Sequence, residues 1–180
     1  MPILETDRLV LRPWRAPGDL DALAAVNGDD AVMRWIPPFR AMTRDESSAQ
    51  LARIVTHWDQ HGFGLWALED REDGCGCIGF AGLAVPGFLP AVLPTVEVGW
   101  RLSSAWWGRG LATEAARACV AYAFETLRLA SVVSIIDPQN TASLRVADKL
   151  GMTRDSDRLH PVSGRRLRVM RLDRPVECGA

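Results

Sequence analysis

No apolar run in this sequence approaches the roughly 20 residues that a bilayer-crossing helix needs, so no membrane association is expected. The opening residues carry no signal-peptide core, because Glu5, Asp7 and Arg8 stand where it would lie. Cytoplasm is the compartment that this pattern predicts. Excess charge is missing too: the net charge is −1 at pH 7, which gives no electrostatic basis for holding nucleic acid. Cysteine is scarce and scattered, with 4 in all, at Cys75, Cys77, Cys119 and Cys178. Cys75 and Cys77 sit closer together than the usual C-x2-C metal pair, and no second pair follows. His57 and His61 are spaced one helical turn apart, but Trp58 stands where a zinc-protease helix carries Glu. They read as surface or groove-lining residues, and no metal is expected. There is 1 tyrosine, Tyr122.

What is present is a chain of 180 residues, 48% apolar and 24% charged. Those proportions predict one soluble globular domain over residues 1–180. The most informative stretch is Ser103 to Ala118, SSAWWGRGLATEAARA. Ala112, Ala115, Ala116, Cys119, Val120 and Ala123 recur with the spacing of one apolar helix face, which makes Cys119 a core residue. Thr95 to Leu102 alternates like a strand, with Glu97, Gly99 and Arg101 on one face. The order is therefore strand, glycine-bearing loop, helix.

That order suits an anion. The first N–H groups of a helix lack internal partners, and its dipole places partial positive charge there. Glycine lets backbone approach a ligand closely, and Arg109 adds a full charge beside Gly108 and Gly110. Such a site fits phosphate. Leu111 follows Gly110, so the Lys-Ser/Thr of a nucleoside-triphosphate loop is absent. No third glycine completes a dinucleotide fingerprint.

Along the chain, Arg8 to Pro13 predicts a strand, and Asp19 an N-cap for a helix from Leu20 to Val26. Trp35 to Phe39 is a proline-broken loop. Thr43 and Glu46 have capping-box spacing for a helix running to about Gln60. Leu65 to Leu68 and Cys77 to Val85 predict an antiparallel hairpin. Residues 86–94, PGFLPAVLP, form a proline-rich loop; a cover over a substrate site, a partner contact and a plain ordered loop all remain open. Ser131 to Ile136 is a buried strand. Asn140 or Thr141 then caps a short helix ending at Gly151. Two closing strands, Thr153 to Asp157 and Arg165 to Leu172, carry a basic stretch. A solvated sheet face and an anchor for an acidic acceptor are its two readings.

The run W107-G-R-G-L-A112 resembles the pyrophosphate loop of GCN5-related N-acetyltransferases (GNAT), (Q/R)-x-x-G-x-(G/A), with Trp107 at the usual Gln/Arg position. The longer strings WWGRGLATEA and LETDRLVLRPWRAPGDLDAL are similar to the ribosomal-protein N-acetylase branch, the RimJ/RimL-like group. N140-x-x-S143 leading to K149-L-G-M152 resembles the second acetyl-CoA motif of these enzymes. The resemblance implies an α/β fold with a mixed, mostly antiparallel twisted sheet flanked by helices. Its central parallel strands, around Val98 and Val133, would splay at the cofactor site. It implies acetyl-CoA as cofactor, held by the backbone near Leu102, by Trp107, Gly108, Arg109, Gly110, Leu111, Ala112 and Thr113, and by Asn140 at the pantetheine arm. The helix after Thr43 would line the acceptor groove.

Two catalytic candidates follow from the same resemblance. Glu97, in the context VEVGWRL, would face the acceptor amine as general base; an ion pair with Arg101 is the alternative. Relatives often carry a proton-donating Tyr four residues past the serine, where this chain has Ala147. Ser143 is then the candidate acid, or simply a first-turn hydroxyl. The implied partner is an amine, first choice a protein N-terminus. A small amine (a polyamine, amino acid or aminoglycoside) and a non-catalytic acyl-CoA sensor are the rivals. The 7 tryptophans leave a homodimer open.

Overall fold

The computed structural model describes residues 1–72, 74 and 76–175; Cys75, weighed above with Cys77 as a metal pair, and Cys178 lie outside the described residues. Eight strands form one sheet: β1 (Leu4–Glu5), β2 (Leu9–Arg12), β3 (Leu65–Asp70), β4 (Cys77–Ala84), β5 (Glu97–Leu102), β6 (Ser131–Ile136), β7 (Thr153–Leu159) and β8 (Arg166–Asp173). Their order is β1-β2-β3-β4-β5-β6-β8-β7. Every neighbouring pair is antiparallel except β5 and β6, which run parallel and share only the Glu97–Val133 rung. Past that rung the two strands part, as the resemblance implies.

Among the described residues five α-helices flank the sheet: α1 (Leu20–Asn27), α2 (Asp30–Met33), α3 (Arg44–His61), α4 (Leu111–Ala121) and α5 (Thr141–Lys149). The α3 start is the expected capping box. Thr43 accepts from the Glu46 N–H, and the Glu46 carboxylate accepts from the Thr43 N–H. Asn140 caps α5, accepting from the Ser143 N–H at 3.1 Å. The core runs along β2 to β6. It includes Trp66, Leu68, Leu83, Val98, Leu111, Cys119 and Val132, each essentially inaccessible. Tyr122 closes it with a T-shaped contact to Trp66, ring centroids 5.2 Å apart.

Asp19 corrects one expectation, because its side chain makes no cap bond. Arg12, buried on β2, takes it instead in a bidentate pair at 2.7 and 2.8 Å. Burial pushes the Asp19 carboxyl up, but bonds from Arg12 and the Arg15 N–H outweigh that and hold it below the usual carboxylate range. A full charge competes for a carboxylate better than a neutral helix N–H does. The basic tail makes surface ion pairs: Arg154, Arg166 and Arg168 all converge on Asp157, and Arg171 pairs with Asp173. That accords with the solvated-face reading.

Candidate active site

The loop between β5 and α4 carries its shape in two glycines. Gly108 (φ 75°) and Gly110 (φ 82°) both adopt the left-handed conformation that side chains rarely accept. A side chain at Gly108 would meet open space, so nothing of the protein covers that backbone. Gly110 is the residue before α4, and no side chain caps the helix start. Its first N–H groups therefore face outward with the dipole behind them.

The loop is braced from two sides. Trp107 Nε1 donates to the Leu102 carbonyl at 2.9 Å, tying the loop to the end of β5. Arg8 donates to the Arg109 carbonyl at 2.9 Å and pairs with Glu114 at 2.6 Å. Glu114 also accepts from Thr6 at 2.6 Å and the Arg8 N–H at 2.9 Å. The loop is thus pinned to the β1–β2 turn before any ligand arrives. Arg109 stacks over the Trp106 ring at 4.4 Å, so its charge lies beside the loop instead of lining the groove.

A cleft of about 400 Å³ runs from this loop to α5, lined by Leu102, Trp107, Gly108, Gly110, Leu111, Ala112, Thr113, Asn140 and Ser143. Arg145 and Lys149 add positive charge along it. A second cleft, about 220 Å³, adjoins it and is lined by Glu97, Gly99 and Ile135, with Gln50 of α3 and Phe88 of the proline-rich loop. The two share Trp35, Ile36, Trp100, Arg101, Asn140 and Ser143. Of the site residues expected from sequence, only Arg109 lines neither cleft.

Glu97 stands where β5 and β6 part. Its carboxylate accepts the Ile135 N–H, yet removal from water dominates and pushes the carboxyl up to about 7. The alternative reading, an ion pair with Arg101, is not what the structure shows. Arg101 instead donates to Asn27 Oδ1 at 2.6 Å and lies over the Phe80 ring at 4.9 Å. Sequence reasoning passed over Arg101 as a site residue. The available signal was Gly99, which leaves a gap between it and Glu97 on the same face. His57 is half-buried and structural: its Nδ1 is 2.9 Å from the Phe63 carbonyl, and its Nε2 accepts the Val85 N–H at 3.1 Å. Among the described residues, no group of three or more His, Cys, Asp or Glu side chains is placed to hold a metal.

Two central strands part beside a glycine-opened helix, with the Glu97 carboxylate at the gap, so an anion-binding loop and a desolvated acid share one groove. Residues 8–153 match the acetyltransferase (GNAT) domain, and the chain belongs to that family; it is an acyl-CoA-dependent N-acetyltransferase. A solved acetyltransferase from Agrobacterium tumefaciens is 32% identical, with a TM-score of 0.81 over 97% of this chain and 95% of that one. The Bacillus subtilis protein YkkB is 31% identical over 157 residues, covering 83% of this chain and 84% of its own. The fold is also shared with RimL, a ribosomal L7/L12 alpha-N-protein acetyltransferase solved with coenzyme A. There the TM-score is 0.76 at 14% identity, over 96% of this chain and 98% of that one.

Proposed function

We propose that this enzyme moves the acetyl group of acetyl-CoA directly onto an amine, with a protein N-terminal amine as first-choice acceptor. One observation carries the reading: the part-buried Glu97 carboxylate stands at the parting of β5 and β6, in a cleft that opens into the glycine-loop groove. The groove fits coenzyme A. Uncovered backbone at Gly108, the uncapped α4 start and the Arg145 and Lys149 charges suit a pyrophosphate and its nucleotide. Asn140 and Ser143, where the two clefts meet, suit the pantetheine end.

When bound, acetyl-CoA supplies an acetyl thioester at that junction. The protein's own groups do the rest. Glu97 takes a proton from the incoming ammonium, through water or directly. Backbone N–H groups of β5 beyond Glu97 face the gap and polarise the carbonyl. Neutralising an α-amino group of pKa ~7.8 costs about 1.1 kcal/mol at pH 7, against about 4.6 kcal/mol for a lysine at ~10.4. A carboxylate of pKa near 7 handles the first with ease, which favours an N-terminal acceptor. Ser143 then lies within the shared wall as a donor to the departing thiolate. That leaving group is stable enough to need little help, with a thiol pKa near ~8.5.

The test is thiol release from acetyl-CoA with a panel of N-terminal peptides and small polyamines. Release that depends on peptide supports the proposal. Release only with polyamines moves the acceptor to a small molecule. Tight CoA binding without release for any acceptor contradicts direct transfer.

A further inference from the structure

Arg101 is 8% exposed, yet no carboxylate among the described residues pairs with it. The contrast within the chain is direct: buried Arg12 has both Asp19 and Glu69. Arg101 has neutral partners only, Asn27 Oδ1 at 2.6 Å and Gln50 Oε1 at 3.5 Å. Its Nε has no hydrogen-bond partner among the described residues. A buried cation without a counter-ion is costly, and here removal from water lowers its affinity for its own proton to about 10. The fold keeps a charge that no carboxylate among the described residues neutralises.

That charge borders the acceptor cleft. Gln50 and Phe80, the groups that hold the guanidinium, line the cleft together with Glu97 and Gly99. Glu97, Gly99 and Arg101 share one face of β5. Gly99 has nothing within 4 Å of where a side chain would begin, so the space between the acid and the base is open. From these positions we infer that Arg101 binds a carboxylate on the acceptor, whose amine lies over Gly99 toward Glu97; the enzyme is selective for amines that also carry a carboxylate.

Strand geometry sizes that acceptor. Residues 97 and 101 are about 13 Å apart along β5. That spacing is between backbone positions, and the side chains at its two ends narrow it to a few covalent bonds between the acceptor's amine and its carboxylate. An N-terminal amine followed by an acidic residue spans that distance. A polyamine meets Arg101 as a like charge and is disfavoured. This inference rests on the proposed acceptor role of the Glu97 cleft, and its test separates the two.

The probes are the amidated dipeptides Ser-Asp-NH2, Ser-Asn-NH2 and Ser-Lys-NH2, alike in size. Binding is read by tryptophan fluorescence, since Trp35 and Trp100 line the cleft; turnover is read by thiol release. The wild type should prefer Ser-Asp-NH2 over Ser-Asn-NH2 by ~10-fold or more, as a charge-assisted contact gives. Arg101→Met should bring the ratio within twofold, through KM for the dipeptide. Gln50→Glu guards against misfolding of that variant. It places a carboxylate beside Arg101 without changing side-chain shape, and should likewise erase the preference while the fold gains a buried ion pair. A wild-type ratio near one, or a preference that survives both variants, overturns the assignment. Preferential binding without thiol release leaves Arg101 as anion reader and removes the direct-transfer reading. Release without preference does the reverse.

Discussion

The Glu97 carboxylate takes the N–H of Ile135, two residues past Val133, the last rung that joins β5 to β6. A side chain thus fills the wedge where a parallel ladder opens. The contact orients the carboxylate, and the wedge keeps it poorly hydrated, with its carboxyl raised to about 7. Position and proton affinity come from the same piece of geometry.

Glu97 lowers stability as pH rises. A carboxyl held at about 7 in the fold and near 4.3 in the unfolded chain is neutral in both states at pH 3. Its stabilising effect is fully present below the unfolded value and is lost as pH rises through the folded one. Glu97→Gln keeps the shape and removes the charge. It should be more stable than wild type at pH 8, by as much as about 4 kcal/mol, and equal to it at pH 4. Urea unfolding at the two pH values checks this.

Asp19 behaves in the opposite sense. Its carboxyl is held below the usual range by Arg12, so its contribution is present above the unfolded value near 3.9 and is lost as pH falls through the folded one. Asp19→Asn strands a guanidinium that is 4% exposed, with Glu69 as the remaining partner. The expected cost at pH 7 is about 3 kcal/mol, shrinking as the wild type is acidified. Thermal melts of both proteins between pH 7 and pH 3 test the sign.

Gly110 separates backbone conformation from charge at the loop. Gly110→Ala meets only Arg8 Nη2, at 3.6 Å, so its cost is conformational, about 1–2 kcal/mol from the positive φ. Gly110→Glu adds a carboxylate at the helix start, where the proposed pyrophosphate lies. Calorimetry should show CoA binding weakened for the alanine variant and abolished for the glutamate variant. Unchanged affinity in Gly110→Glu contradicts the phosphate-loop assignment.

Asn140 and Ser143 divide structure from chemistry on α5. Asn140→Ala removes the cap and should cost about 1 kcal/mol of stability together with some CoA affinity. Ser143→Ala leaves the cap, which uses the Ser143 N–H, untouched. It should lower turnover less than ~10-fold, because the thiolate is a tolerable leaving group at a pKa near ~8.5. A loss of 10³-fold with normal CoA binding would make Ser143 an essential acid.

Much of this architecture is written locally. The capping box at Thr43 and Glu46, the β3–β4 hairpin and the strand–loop–helix around Gly110 are all set by neighbours within a few residues, so the sequence pattern reveals them. What escaped depends on distant partners. Asp19 fits the local rule for a cap, but β2 brings Arg12 to it. Arg101 looks like the natural mate of Glu97; α1 and α3 supply Asn27 and Gln50 instead. Arg109 points onto Trp106, a contact within one turn that no spacing rule announces. Trp107 departs from the family pattern at its position, and its indole N–H bonds the Leu102 carbonyl, a contact that the motif does not announce.

The central claim is that Glu97 accepts the proton from the acceptor amine. Its most direct test is kcat/KM for acetyl-CoA-dependent thiol release between pH 5 and 9, with one N-terminal peptide, in wild type and Glu97→Gln. The wild-type profile should rise tenfold per pH unit and bend near pH 7. The variant should be slower by about 10²–10⁴-fold at pH 7, lack that bend and bind CoA normally. A variant that keeps both the rate and the bend would contradict the account.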